Sequence, residues 1–119
     1  MPVHRRIEIT IVGKVTIVRF IDRKILDAAS IEELGEELFE LASSDNHKYL
    51  LLNFSQVEFL SSSALNKLII LEKKVKRNAG QLKLCCLRPE IKEVFSITNL
   101  NQVFDIRETE VEALKSFTS

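Results

Sequence analysis

Asn53-Phe54-Ser55-Gln56-Val57-Glu58-Phe59-Leu60-Ser61-Ser62-Ser63-Ala64-Leu65 is the stretch on which the reading of this chain turns. A continuously apolar run, Tyr49 to Leu52, leads into it and suits a central strand covered on both faces. A short polar link and an apolar turn follow, and then three serines where a helix should begin. A hydroxyl at a helix N-terminus caps free backbone N–H groups; phosphorylated, it becomes an anion that the same groups tolerate. Capping alone is the commoner use of such serines.

Downstream of the serines, Ala64, Leu68, Leu71 and Val75 recur on one helical face, widened by Leu65 and Ile69. The spacing predicts a second helix beginning near Ser62 or Ser63. Lys73, Lys74, Lys76 and Arg77 crowd its last turns, where cations complement the helix dipole, with docking the secondary reading. Gly80 is expected as the C′ stop. Gln81 to Leu87 reads as a strand, and Pro89 suits the first position of a third helix with Ile91, Val94 and Phe95 inward. Val103 to Ile106 is a fifth strand. Thr109-Glu110-Val111-Glu112 is a capping box opening a last helix packed by Val111, Leu114 and Phe117.

Upstream, Ile7, Ile9 and Ile11 alternate with polar residues, Gly13-Lys14 can turn, and Val15 to Ile21 forms a second strand. This is a hairpin whose half-polar first strand belongs at a sheet edge or in a sheet with one exposed face. Ser30-Ile31-Glu32-Glu33 matches a capping box and should open the first helix, with Ile31, Leu34, Leu38 and Leu41 as its apolar stripe. Its other face carries Glu32, Glu33, Glu36, Glu37 and Glu40, most simply a solvated surface. The order is ββαβαβαβα: an α/β chain with a mixed, mostly parallel sheet of about five strands and four helices, read as one domain over 1–119.

Composition narrows the function. At 45% apolar residues the chain has the material for a core, and 17 basic against 17 acidic residues argue against a protein built to hold nucleic acid or anionic lipid. No signal peptide and no run of membrane-spanning length is visible, so a cytoplasmic location without membrane insertion is expected. Cys85 and Cys86 are adjacent; neighbours on a strand point to opposite faces, which suits two small hydrophobes better than a redox or metal pair. His4 and His47 lie in polar stretches expected to be exposed and are assigned no role, and Lys92 is expected to be solvated. There is no GxSxG, no histidine placed as a base, no metal-ligand spacing and no glycine-rich phosphate loop. A serine nucleophile is therefore disfavoured, and neither enzyme activity, cofactor nor metal is expected.

Asn53, Phe59, Leu60, Ser61, Ser62, Ser63, Ala64 and Leu65 fall without a gap on the characteristic segment of STAS domains, which the chain resembles. The likeness is strongest to stand-alone anti-sigma factor antagonists, and it extends through Leu26-Asp27, Gly80 and the stretch from Pro89 to Leu100. It implies a partner switch: a kinase-type anti-sigma factor or switch-protein kinase is bound, phosphorylates a serine and lets go, and a phosphatase reverses the mark. Ser62 aligns with the modified serine, with Ser61 and Ser63 as alternatives. Asp27, Ser61, Ser62, Ser63, Ala64 and Leu65 align with the partner-binding segment. Asp27 matches an aspartate that assists the kinase reaction; read without the resemblance, it ends a loop or helps cap the first helix. Two residues depart from the pattern: Ser61 replaces an aspartate and removes a charge, and Ala64 replaces a glycine and adds a methyl group at the helix start. Arg23-Lys24 stands where a glycine-containing turn is usual and makes the surface beside Asp27 more basic. Some relatives of this fold instead dock on a transporter ATPase or permease without phosphorylation. A monomer is expected when free.

Overall fold

The computed structural model describes residues 6–44 and 47–117; His4 lies outside them. Five strands form the main sheet in the order β1-β2-β4-β6-β7. They are β1 (Ile7–Val12), β2 (Val15–Phe20), β4 (Tyr49–Asn53), β6 (Gln81–Cys85) and β7 (Asp105–Arg107). β1 runs antiparallel to β2, and the other pairings are parallel. The hairpin register pairs Val12 with Val15, leaving Gly13-Lys14 as a two-residue turn; Gly13 has φ +60°, the positive value that the first position of a type II′ turn requires. β4 is the middle strand. Leu50 and Leu52 face the larger core, Leu51 the smaller, and all three are fully buried.

The helices divide unequally between the two faces. α1 (Ala28–Ala42), α2 (Ser62–Arg77) and α3 (Pro89–Ile97) cover the large core with Leu34, Leu38, Leu68, Leu71, Ile91 and Phe95. On the other face, α4 (Glu110–Ser116) and Phe117 cover Val15, Ile17, Leu51 and Cys85.

Two short strands, β3 (Lys24–Ile25) and β5 (Phe59–Leu60), were not expected. They pair with each other in parallel and stand apart from the main sheet. A two-residue strand has no readable alternation, so the sequence shows it only as loop.

Several boundaries move. α1 opens three residues before the box at Ser30, because Asp27 is its cap. β6 ends at Cys85: Cys86 takes φ +62° and leaves the strand, so the two cysteines are not strand neighbours on opposite faces. The last strand begins at Asp105, after a 3-10 turn at Leu100–Gln102. Val111 is exposed, and Ala113 packs in its place. Thr109 does cap α4, accepting from the Glu112 N–H at 3.1 Å. His47 is half-buried, with Nδ1 2.7 Å from the hydroxyl of buried Thr16.

The stop of α2 also differs. The left-handed residue is Ala79, φ +61°, and Gly80 follows it. The Gly80 N–H bonds the Val75 carbonyl and the Ala79 N–H the Lys76 carbonyl, which is a Schellman motif. Gly80 is needed for space: a Cβ there would lie 2.3 Å from the Lys48 carbonyl oxygen.

Candidate functional site

The three serines divide their work. Ser61 is the N-cap of α2; its Oγ accepts from the Ala64 N–H at 3.2 Å. Ser62 and Ser63 are the first two helical residues and both are exposed. Ala64 and Leu65, aligned with the partner-binding segment, are buried, 2% and 6% exposed. They fix the helix start to the core from beneath and offer no outer surface. The methyl group that distinguishes Ala64 from glycine therefore fills core space.

The β3–β5 pair carries the neighbouring surface. The Ser61 N–H donates to the Ile25 carbonyl at 3.1 Å, which draws the Leu26-Asp27 link alongside the serines. Ile25 is buried and anchors the pair, whereas Phe59, 50% exposed, and Leu26, 53% exposed, turn outward. Lys24 lies over the Phe59 ring, 5.7 Å from its centroid, and Arg23 pairs with Glu58 at 2.8 Å. The basic residues expected beside Asp27 are thus engaged with the β5 side. Leu26 and Phe59 are thus exposed apolar side chains, Phe59 on β5, which leads directly into the serines, and Leu26 just after β3; exposed apolar side chains are common at the centre of protein contacts.

Asp27 caps α1. Its Oδ2 accepts from the Ser30 N–H at 3.0 Å and from the Ser30 hydroxyl at 3.1 Å. Those bonds, the backbone one first, hold its carboxyl below the usual carboxylate range. The structure places Asp27 next to the serine loop and gives it structural work as well.

A groove of about 470 Å³ separates the starts of α1 and α2, lined by Ala28, Ile31, Glu32, Ser62, Ser63, Asn66 and Lys67. Lys67 ion-pairs with Glu32 at 2.6 Å and lies over the Phe39 ring at 5.9 Å. Lys67 and the exposure of Phe59 were not singled out from the sequence; Glu32 was read as part of a capping box and a solvated acidic face, and Leu26 only as part of the resemblance. One signal was available for Lys67: Gly35 interrupts an otherwise strong helix former, and an isolated helical glycine commonly has a packing reason. A Cβ at Gly35 would lie 3.0 Å from the Lys67 Cδ, so the glycine makes room for that stem.

Elsewhere the chemistry is structural. Asn53 Nδ2 and Arg19 Nη2 both donate to Glu110 Oε1 at 2.8 Å and pin α4 to the sheet. Burial raises the Cys85 thiol well above its ordinary value, so it is not a nucleophile near neutrality. Lys92 pairs with Glu108. Among the described residues no group of side chains is arranged to hold a metal ion, and no helix is long and apolar enough to cross a membrane.

Comparison with known proteins bears on the family and the fold. The STAS domain description matches residues 6–113. A Bordetella bronchiseptica protein provisionally named anti-sigma factor antagonist BtrV is 25% identical over 93 residues, spanning 78% of this chain and 79% of that protein. A crystal structure from Thermotoga maritima, provisionally assigned as an anti-sigma factor antagonist, superposes with a TM-score of 0.82 at 23% identity, covering 94% of each chain. The Bacillus cell fate determinant SpoIIAA in its phosphorylated form superposes with a TM-score of 0.69 at 19% identity, covering 92% of this chain and 96% of that one.

Proposed function

This chain belongs to the STAS domain family, and from that premise we propose that it is a regulatory binding protein, an anti-sigma factor antagonist whose hold on a kinase-type anti-sigma factor is broken by phosphate on Ser62. The supporting observation is the exposed Ser62 hydroxyl at the first turn of α2, two residues after the β5 strand that carries exposed Phe59. Unmodified, this surface is neutral and partly apolar, and a partner can close over it. Phosphate would add roughly −1.5 to −2 charges there. Burying an unpaired anion against a partner costs several kcal/mol, whereas about 1.4 kcal/mol changes an affinity tenfold. The core beneath need not move, because Ala64 and Leu65 face inward and the helix start tolerates negative charge.

In this reading the chain is one STAS unit over 1–119, non-enzymatic, cofactor-free, cytoplasmic and monomeric when free. The nucleotide belongs to the kinase partner, and a phosphatase resets the serine. The test uses purified chain and an ATP-binding anti-sigma factor of the same organism. We expect tight binding without phosphate, ATP-dependent phosphate incorporation that is lost in Ser62→Ala, and binding by Ser62→Asp at least tenfold weaker. Equal binding by wild type and Ser62→Asp overturns the switch. Stable binding to a transporter ATPase or permease subunit, with no phosphate incorporated, identifies the docking role instead.

A further inference from the structure

Resting on the reading above, we propose that Lys67 makes the two exposed serines unequal, neutralising a phosphate on Ser63 and leaving one on Ser62 bare. Helix geometry sets up the difference. Ser63 and Lys67 are four residues apart and share a face of α2, whereas Ser62 stands one turn from Asn66. Ser62, Ser63 and Lys67 all line the groove between the helix starts, and a long helical side chain leans toward the turn N-terminal to it, which for Lys67 is the turn that carries Ser63.

Lys67 is also a prepared cation. Its stem passes Gly35, where a Cβ would lie 3.0 Å away, and its ammonium sits between the Phe39 ring at 5.9 Å and Glu32 at 2.6 Å. Its side chain is only 22% exposed. A glycine inside α1 is less favourable than alanine, and here it admits the stem of Lys67. Glu32 from α1 and Lys67 from α2 are the two charged residues lining the groove. A phosphate on Ser63 competes with Glu32 for Lys67 and wins by its greater charge. A phosphate on Ser62 leaves the Lys67–Glu32 pair closed and presents its whole charge to an arriving partner. Lys67 therefore acts as a positioning residue that assigns the switch to Ser62 and mutes Ser63.

The test needs no partner. Phosphoserine is installed at position 62 or at position 63 of the full chain, and the second ionisation of each phosphate is followed by phosphorus NMR. The value at Ser63 should lie below that at Ser62 by roughly 0.3–0.7 of a pH unit, the size of an exposed ion pair. Lys67→Gln should raise the Ser63 value and leave the Ser62 value in place. Glu32→Gln, which frees Lys67, should lower the Ser63 value further. Equal values at the two positions, or Lys67→Gln moving both alike, overturn the proposal. If those signs hold and no kinase is released, the partner reading alone fails; if release holds and the ionisations match, Lys67 alone is wrong.

Discussion

At the scale of single residues, the serine run separates capping from display. Ser61 satisfies an orphan N–H of α2, so Ser61→Ala should cost about 1 kcal/mol in denaturant unfolding. Ser62→Ala removes no bond of the fold and should leave the midpoint unchanged. Carboxylates give a second check. Asp27 is held below its ordinary 3.8 by Ser30, and Asp105 below the same value by Arg107 first and then Lys83. A carboxyl lowered by folding contributes stability that is complete above its unfolded value and is lost as the pH falls through its folded one. Unfolding midpoints should therefore hold steady above pH ~4 and drop below it, less steeply in Asp105→Asn. Unchanged acid dependence in that variant would remove Asp105 from the account.

Among the elements, the end of α2 is where neighbouring residues should respond with opposite signs. Ala79 occupies the left-handed region at a cost of ~1–2 kcal/mol that glycine escapes in part, so Ala79→Gly should stabilise by about 0.5–1 kcal/mol. Gly80→Ala drives a methyl group into the Lys48 carbonyl and should destabilise by about 1–3 kcal/mol. Thermal unfolding of both variants checks the pair, and like signs would refute this view of the motif. The same helix shows what a sequence discloses. The stripe from Ala64 to Val75 was legible because burial repeats with helical period over four turns, and Leu50 to Leu52 was legible because a central strand is apolar on both faces. Gly80 was recognisable as a stop, but which of two residues goes left-handed depends on Lys48, a contact remote in sequence. The box at Ser30 looked like a start and lost to Asp27, which caps one turn earlier and bonds Ser30 itself. Of the site, the hydroxyls were readable. The outward turn of Leu26 and Phe59 was not, since it depends on a pairing of two residues with two.

For the molecule as a whole, unequal cover of the sheet sets the order of opening. The face under α1, α2 and α3 holds most of the buried side chains, while α4 spans seven residues and rests on a small cluster and the Asn53–Glu110–Arg19 bonds. Amide exchange should therefore find α4 opening at a fraction of the global unfolding free energy, with β4 and α2 released only at full unfolding. Glu110→Gln should speed exchange in α4 more than elsewhere. Uniform protection across all four helices would contradict this division.

The separation of β3 and β5 from the main sheet has a bearing on ancestry. Duplicated copies of such a chain can trade the outward residues of this pair as readily as livery, while the chassis inherits no strain from the change. Under the proposed switch, duplicated copies would be kept apart by two or three side chains each, by repainting and not rebuilding.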